Sequence, residues 1–356
     1  MPKEHPEPIT APQVGGDKPA WHVLTLAQSI AAIRQQFQAL TSSRAQQGLP
    51  PVDYFLPTCY MRVNRFGRQV LAQRKMLFTY LFVRDTAAGL RDIRTRIPGL
   101  RMLTVHDSHT GQRRYMTITD RDMESFRTIA NAHSGELPCY RVSDIDLQAG
   151  DRVQVIGGPF SGVEGTLRTA PGRDGGQVVL AIGDLFIVST GDIQSQYIRI
   201  LHFGHGNRHP YKQFEAHQPR SLAALAAHLR HQSLAVDDLT AMQVFVQRYQ
   251  LLQPDTPNLA ATHAALMLIT ATALQLAPQR EHWLAQCRSL LPGITAPQQR
   301  AMLQAMLYAA TGDPQLAQSL QATIASWQPI KPAEAKKRTI ATILAQFQPL
   351  HANGAD

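Results

Sequence analysis

The spacing of apolar positions changes character along the chain. Trp21-His-Val-Leu-Thr-Leu-Ala27 is a short apolar run of the kind a buried strand carries. Over residues 29–47, Ile30, Ile33, Phe37 and Leu40 recur at helical spacing behind Ser29, a candidate N-cap, and Gly48-Leu-Pro-Pro51 stops the helix. Residues 54–58 and 76–83 read as strands, with a basic, glycine-containing hairpin between them. A helix over about 87–97 follows, then a strand pair around the Ser108-His-Thr-Gly111 turn. A third helix is expected over about 120–132, with Thr119 as N-cap. That order predicts a compact α+β sandwich.

From Gly150 to Leu201 the pattern shortens. The β-branched runs Val153-Gln-Val-Ile156, 177–181, 186–189 and 198–201 alternate with Gly- and Asp-containing turns, which predicts a small all-β barrel. Residues 202–219 are rich in His and Pro and read as a linker. Beyond residue 220 β signals vanish, and Pro254, Pro257, Pro278, Pro292, Pro297 and Pro314 punctuate helical stretches. Helices are expected over about 221–231, 239–251, 259–276, 280–290, 296–311 and 314–327, with one more after Pro332. The fold class is therefore multidomain: an α+β sandwich, a small all-β barrel and an all-α C-terminal domain over 220–352. Residues 1–18, rich in Pro and Gly, read as a loose tail without the apolar core of a signal peptide.

Composition narrows the partners. The 356 residues carry 35 basic and 26 acidic side chains, a net charge of +9. Of these, 19 basic and 13 acidic residues fall within 1–149, so the excess sits mainly in the first domain and suits a polyanion. Arg62, Arg65, Arg68, Arg74 and Lys75 lie in a span with no acidic residue between Asp53 and Asp85. Five cations on a predicted hairpin without a counter-charge point to phosphate contacts. Cys59, Cys139 and Cys287 are few and far apart, which excludes a disulfide framework and fits a reducing, cytoplasmic compartment.

Catalytic motifs are missing. The chain has no Walker A loop, H-E-x-x-H, G-x-S-x-G or G-x-G-x-x-G, so no enzyme and no cofactor are expected. His202, His205 and His209 lack a nearby cysteine or carboxylate, and a solvated hinge is the expectation there rather than a metal site. The uncharged stretch 258–279 is dominated by Ala and Thr, which fits a buried bundle helix rather than a membrane span.

The stretch Gly150-Asp-Arg-Val-Gln-Val-Ile-Gly-Gly-Pro-Phe-Ser-Gly-Val-Glu-Gly165 has the most specific pattern. Strand alternation at Val153 and Val155 leads into a Gly157-Gly158-Pro159 turn. Gly162 and Gly165 permit positive φ or close backbone approach, and Phe160 sits at the loop tip as a core plug or a docking knob. This stretch resembles the KOW motif, which implies that it begins a small SH3-like barrel. With Trp21, the Phe55-Leu-Pro-Thr58 strand, the basic hairpin and the Tyr80-Leu-Phe-Val83 ending ahead of it, the chain resembles the NusG family of transcription elongation factors over about residues 19–201. Phe78-Thr79 stands where the family usually carries Pro-Gly. Residues 118–126 are similar to the UpxY-like and RfaH-like antiterminators, which serve long operons for surface polysaccharides.

The resemblance implies a polymerase-binding (NGN) domain over 19–136, a linker over 137–148 and a KOW barrel over 149–201. It further implies that an apolar face of the first domain docks on RNA polymerase and suppresses pausing and termination, with Tyr54, Phe55, Leu56, Tyr80 and Phe82 as candidates. The hairpin cations would meet upstream or non-template DNA. Phe160, Gly162 and Val163 would recruit a ribosomal protein or a termination factor, and Val163 replaces a second loop phenylalanine of some relatives. Ala305–Leu320, with its Gly312-Asp-Pro turn, looks like a tetratricopeptide-type hairpin, so the helical domain is expected to bind a further, unidentified protein. Two rivals stay open: a ribosome- or RNA-binding KOW protein, and an enzyme residing in the C-terminal helices.

Overall fold

The computed structural model describes residues 18–352 apart from 78, 107–112, 136, 170–174, 184 and 205–209. The tail expected over 1–18 lies, up to residue 17, outside the described residues. The chain has a mixed fold of sheets and helices and divides into two compact units. One comprises the chain up to Leu147 with Gln154–Tyr197; the other comprises Gln148–Val153 with Ile198 onward.

The first unit opens with β1 (Ala20–Thr25), α1 (Ile30–Gln46) and β2 (Asp53–Phe55). Next come β3 (Thr58–Arg65), β4 (Arg68–Lys75), β5 (Tyr80–Asp85) and α2 (Ala87–Arg96). Short strands β6 (Arg101–Met102), β7 (Thr104–His106), β8 (Arg113–Tyr115) and β9 (Thr117–Ile118) lead to α3 (Asp120–Ala132). The expected N-caps Ser29 and Thr119 are present, and Thr86, not among those expected, caps α2; each accepts from a backbone N–H of the first turn it precedes.

The central sheet runs β2-β5-β1-β6, with β9 also on β1. Strand alternation gives its two faces different partners. Leu24, Leu81, Val83 and Leu56 pack with Ile33, Phe37, Leu90 and Ile93 of α1 and α2 in one closed core. On the opposite face Phe82 and Phe55 meet Phe126 of α3, with ring centroids 5.1 and 5.7 Å away. The strand expected over 76–83 begins only at Tyr80, because β3 and β4 form a separate two-stranded hairpin whose base is closed by Met76 N–H donating to Pro57 O at 2.9 Å.

A second sheet follows from β10 (Cys139–Tyr140), β11 (Arg152–Val155), β12 (Glu164–Arg168), β13 (Gly176–Ile182) and β14 (Phe186–Ile193), in the order β10-β14-β13-β12-β11. The division between the units falls within β11, and β15 (Ile198–His202), beside its first residues, belongs to the second unit.

Seven helices complete the described part of the second unit: α4 (Pro210–Leu229), α5 (Val236–Tyr249), α6 (Pro257–Ala273), α7 (Ala277–Leu290), α8 (Pro297–Thr311), α9 (Pro314–Ala325) and α10 (Ala335–Ala352). Each predicted helix is present, but α4 starts eleven residues ahead of its expected start. The segment read as a linker over 202–219 is therefore largely helical from Pro210, and Phe214 within it is fully buried against Phe203, Phe245 and Tyr249. Proline at 257, 297 and 314 occupies the first helical position, where its missing N–H costs nothing. Helix α6 is buried on every side from His263 to Ala273, as its uncharged sequence requires, and no helix among the described residues is long and apolar enough to cross a membrane.

Candidate nucleic-acid interface

Pairing of β3 with β4 is continuous from Thr58↔Lys75 to Arg65↔Arg68, so each side chain can be assigned to a face. One face carries Cys59, Met61 and Val63 with Val70, Ala72 and Arg74. It borders a groove of about 730 Å³ closed on its other side by Tyr80, Leu137, Leu185 and Phe186. The other face carries Tyr60, Arg62 and Asn64 with Gln69, Leu71 and Gln73. Gln73 ties this face to the rest of the unit: its amide donates to Thr58 Oγ1 at 2.9 Å and accepts from Arg34 of α1 at 3.1 Å. Outward from there Tyr60, Arg62, Asn64, Gln69 and Leu71 are all exposed.

The five hairpin cations do not act alike. Arg62 stands on the open face, while Arg68 and Arg74 alternate onto the groove face, and all three are exposed. The side chain of Arg65 is outside the described residues. Lys75 differs from the rest: its Nζ donates to Leu26 O at 3.2 Å and Gln28 O at 2.7 Å, and burial pulls its pKa below the usual lysine value. In this fold it fastens the hairpin base to the chain after β1, which corrects its assignment as a DNA contact.

The candidate polymerase face divides as well. Leu56 and Tyr54 belong to the α1–α2 core, Leu56 buried within it and Tyr54 stacked on Phe37 at 4.3 Å. Phe55, Tyr80 and Phe82 share the opposite face. Phe82 is fully buried, and Tyr80 lies 5.9 Å from the ring of Phe186 on β14. Five adjacent apolar residues on two strands cannot form one exposed surface, and here none of them is fully exposed.

Polar contacts accompany this packing. Arg121 of α3 is paired with the buried carboxylate of Glu164 on β12, and Ser125 Oγ accepts from the Glu164 backbone N–H at 3.2 Å. The loop residues expected to recruit a partner are also engaged. Val163 is fully buried, its carbonyl accepts from Val155 N–H at 2.8 Å and its N–H donates to Phe160 O at 3.1 Å, so it is core rather than contact surface. Phe160 is half-buried, 5.7 Å from the His133 ring after α3. Gly162 is exposed at φ 88°, and its N–H donates to Val155 O at 2.8 Å.

The chain matches no protein-family model and no curated protein. Among the described residues no cluster of three His, Cys, Asp or Glu side chains could hold a metal ion. His202 is half-buried at the end of β15, and His205 and His209 lie outside the described residues. Cys287 is fully buried, and burial pushes its thiol up to about 12, so it stays protonated and unreactive at neutral pH.

Sequence reasoning passed over two residues, Tyr60 and Phe66, both prominently exposed on the hairpin. Their signal was aromatic character inside an acid-free basic stretch, where there is no core for a ring to fill.

Proposed function

We propose that this protein is a transcription elongation or antitermination factor of the NusG kind, which binds RNA polymerase and DNA through its first unit. The observation that carries the reading is the β3–β4 hairpin: two eight-residue strands bearing exposed Arg62, Arg68 and Arg74, with no acidic residue from 54 to 84. A two-stranded hairpin of this charge suits a phosphate backbone. The Gly-Gly-Pro-Phe-Ser-Gly turn ahead of β12 supports the KOW resemblance of the second sheet. Its proposed role is recruitment of a ribosomal protein or termination factor through Phe160 and Gly162.

In this reading the polymerase contact uses Phe55, Tyr80 and Phe82. That contact requires α3 and β14 to move away from the sheet face they cover. The helices of the second unit form an additional interaction domain, in which the α8–α9 turn is closed by Gly312 at φ 70° and capped by Asp313.

The deciding experiment is transcription by purified RNA polymerase through pause sites and a terminator, with and without the protein. Shortened pauses or increased read-through is the expected result. No effect together with no co-purification of polymerase rejects the reading and favours a ribosome- or RNA-binding protein. Within the reading, Arg62→Ala with Arg68→Ala lowers the salt slope of binding to an elongation complex by about 2, one per lost phosphate contact. An unchanged slope removes the hairpin from the DNA path.

A further inference from the structure

The tip of the β3–β4 hairpin is made by Phe66 and Gly67, both left-handed, with φ of 51° and 76°. Two-residue hairpin turns of this form favour Asn-Gly or Asp-Gly, because both central residues need positive φ. Phenylalanine there costs on the order of 1 kcal/mol in backbone strain. No packing offsets that strain, since Phe66 is exposed to 104% of its reference area. A ring of this size left in water also forgoes about 2 kcal/mol of burial. Strain and full exposure coincide in a side chain held away from its own fold.

The residues behind the ring indicate its partner. On the open face the cross-strand pair Asn64–Gln69 comes first, then Arg62–Leu71, then Tyr60, which is 60% exposed. An apolar protein pocket or a hydrocarbon layer that took the ring would strip water from the two amides and the guanidinium without pairing them. Nucleic acid pairs all three: base edges match amides, and phosphates match Arg62. Duplex bases are stacked on each other and offer no free face to a ring, whereas an unpaired strand does.

We propose that Phe66 is a stacking residue for an unpaired base of single-stranded DNA, with Tyr60, about 20 Å back along β3, as a second platform and Arg62 as a phosphate contact between them. The assignment of the strand to DNA rests on the transcription reading above, in which melted DNA lies within reach of the hairpin; the stacking chemistry rests on the hairpin alone.

The test uses the full chain and a 12-nucleotide oligo-dT carrying one 2-aminopurine, whose emission falls when it stacks. Phe66→Asn is the informative variant, because Asn suits the turn and its thermal melt should match or exceed that of the unsubstituted protein. The expected result is a loss of about 5- to 100-fold in affinity, with the quench abolished and the salt slope unchanged. Arg62→Gln should instead lower the slope by about 1.

Equal affinity for the oligomer in Phe66→Asn overturns the proposal. So does an equal loss on duplex DNA, a tighter Phe66-dependent complex with the matching RNA, or Phe66-dependent binding to phosphatidylcholine vesicles in place of DNA. Polymerase co-purification on the same proteins separates the two levels. Phe66-dependent DNA binding without polymerase association rejects the transcription reading and supports the stacking role. Polymerase association with a neutral Phe66→Asn on DNA rejects the stacking role and leaves the transcription reading standing.

Discussion

His263 on α6 donates from Nε2 to Tyr249 O at 2.9 Å and packs edge-on against Trp283, with 2% of its surface exposed. Burial pulls its pKa down to about 4, so the folded chain holds it neutral across the physiological range. The unfolded chain takes up a proton below about pH 6.5, and stability therefore falls as pH drops from about 6.5 to about 4, levelling off below. Between pH 7 and 5 this one group removes about 2 kcal/mol. His263→Gln, which keeps an N–H donor for Tyr249, should shrink the pH dependence of the unfolding free energy, measured by denaturant titration, by that amount. An unchanged pH dependence would show that His263 is hydrated in the native state. Gly162 and Gly165 illustrate what a residue-level reading can and cannot resolve. The sequence assigned both to positive φ or close approach. The structure separates them: Gly162 has φ 88° with open space around it, whereas a Cβ on Gly165 would sit 2.4 Å from Val179 O on the paired strand. Which glycine serves which purpose depends on strand pairing, and β12 itself, rich in Gly and Thr, carried no readable alternation. Gly165→Ala should cost about 2 kcal/mol or more in chemical denaturation, by displacing a backbone that has no rotamer to yield.

At the scale of elements, helices were legible wherever an apolar stripe met a cap, as at Ser29 and Thr119. The hairpin was legible as a charge pattern, but its faces were not. Only the register Arg62↔Leu71 and Cys59↔Arg74 shows that Arg62 and Arg74 point opposite ways. Similarly, the run Tyr54-Phe-Leu56 reads as one apolar patch until the sheet order places α1 on one side and α3 on the other. The covering of Tyr80 by Phe186 could not be anticipated, because more than a hundred residues separate them and neither belongs to a recognisable pair. It has a measurable consequence under the transcription reading. Phe186→Ala removes a half-buried ring from β14 at modest cost in stability and uncovers Tyr80. Polymerase binding should then rise several-fold while the far-UV spectrum is unchanged. Equal or weaker binding would take Tyr80 out of the contact. Phe55→Ala is a poorer probe, since Phe55 also packs on Phe82 and Phe126 and its loss disturbs the sheet face itself.

For the whole molecule, the informative boundary is the one composition placed at residue 220. The His- and Pro-rich segment reads as a hinge because such residues seldom form cores, yet Phe214 within it is the hub of the second unit. Its ring meets Phe203, Phe245, Tyr249 and His263 at centroid distances of 5.3 to 6.3 Å. Pro219 lies inside α4 without ending it, so proline content in this segment does not mark a linker. Strand β15 belongs to this unit too: Leu201 O accepts from Gln253 N–H at 2.8 Å, and Arg199 Nε donates to Gln247 O of α5 at 3.2 Å. Two fragments discriminate the boundaries. A chain beginning at residue 198 retains Phe203 and Phe214 with their partners. One beginning at residue 220 loses both rings and leaves Phe245 and Tyr249 facing water. Deleting buried aromatics of this kind costs about 3–5 kcal/mol each. The shorter fragment should therefore lose its cooperative melt or unfold at far lower denaturant, while the longer one keeps a single sharp transition. Equal midpoints would show that the helices from 221 onward form their own core and that residues 202–219 are the linker their composition suggests.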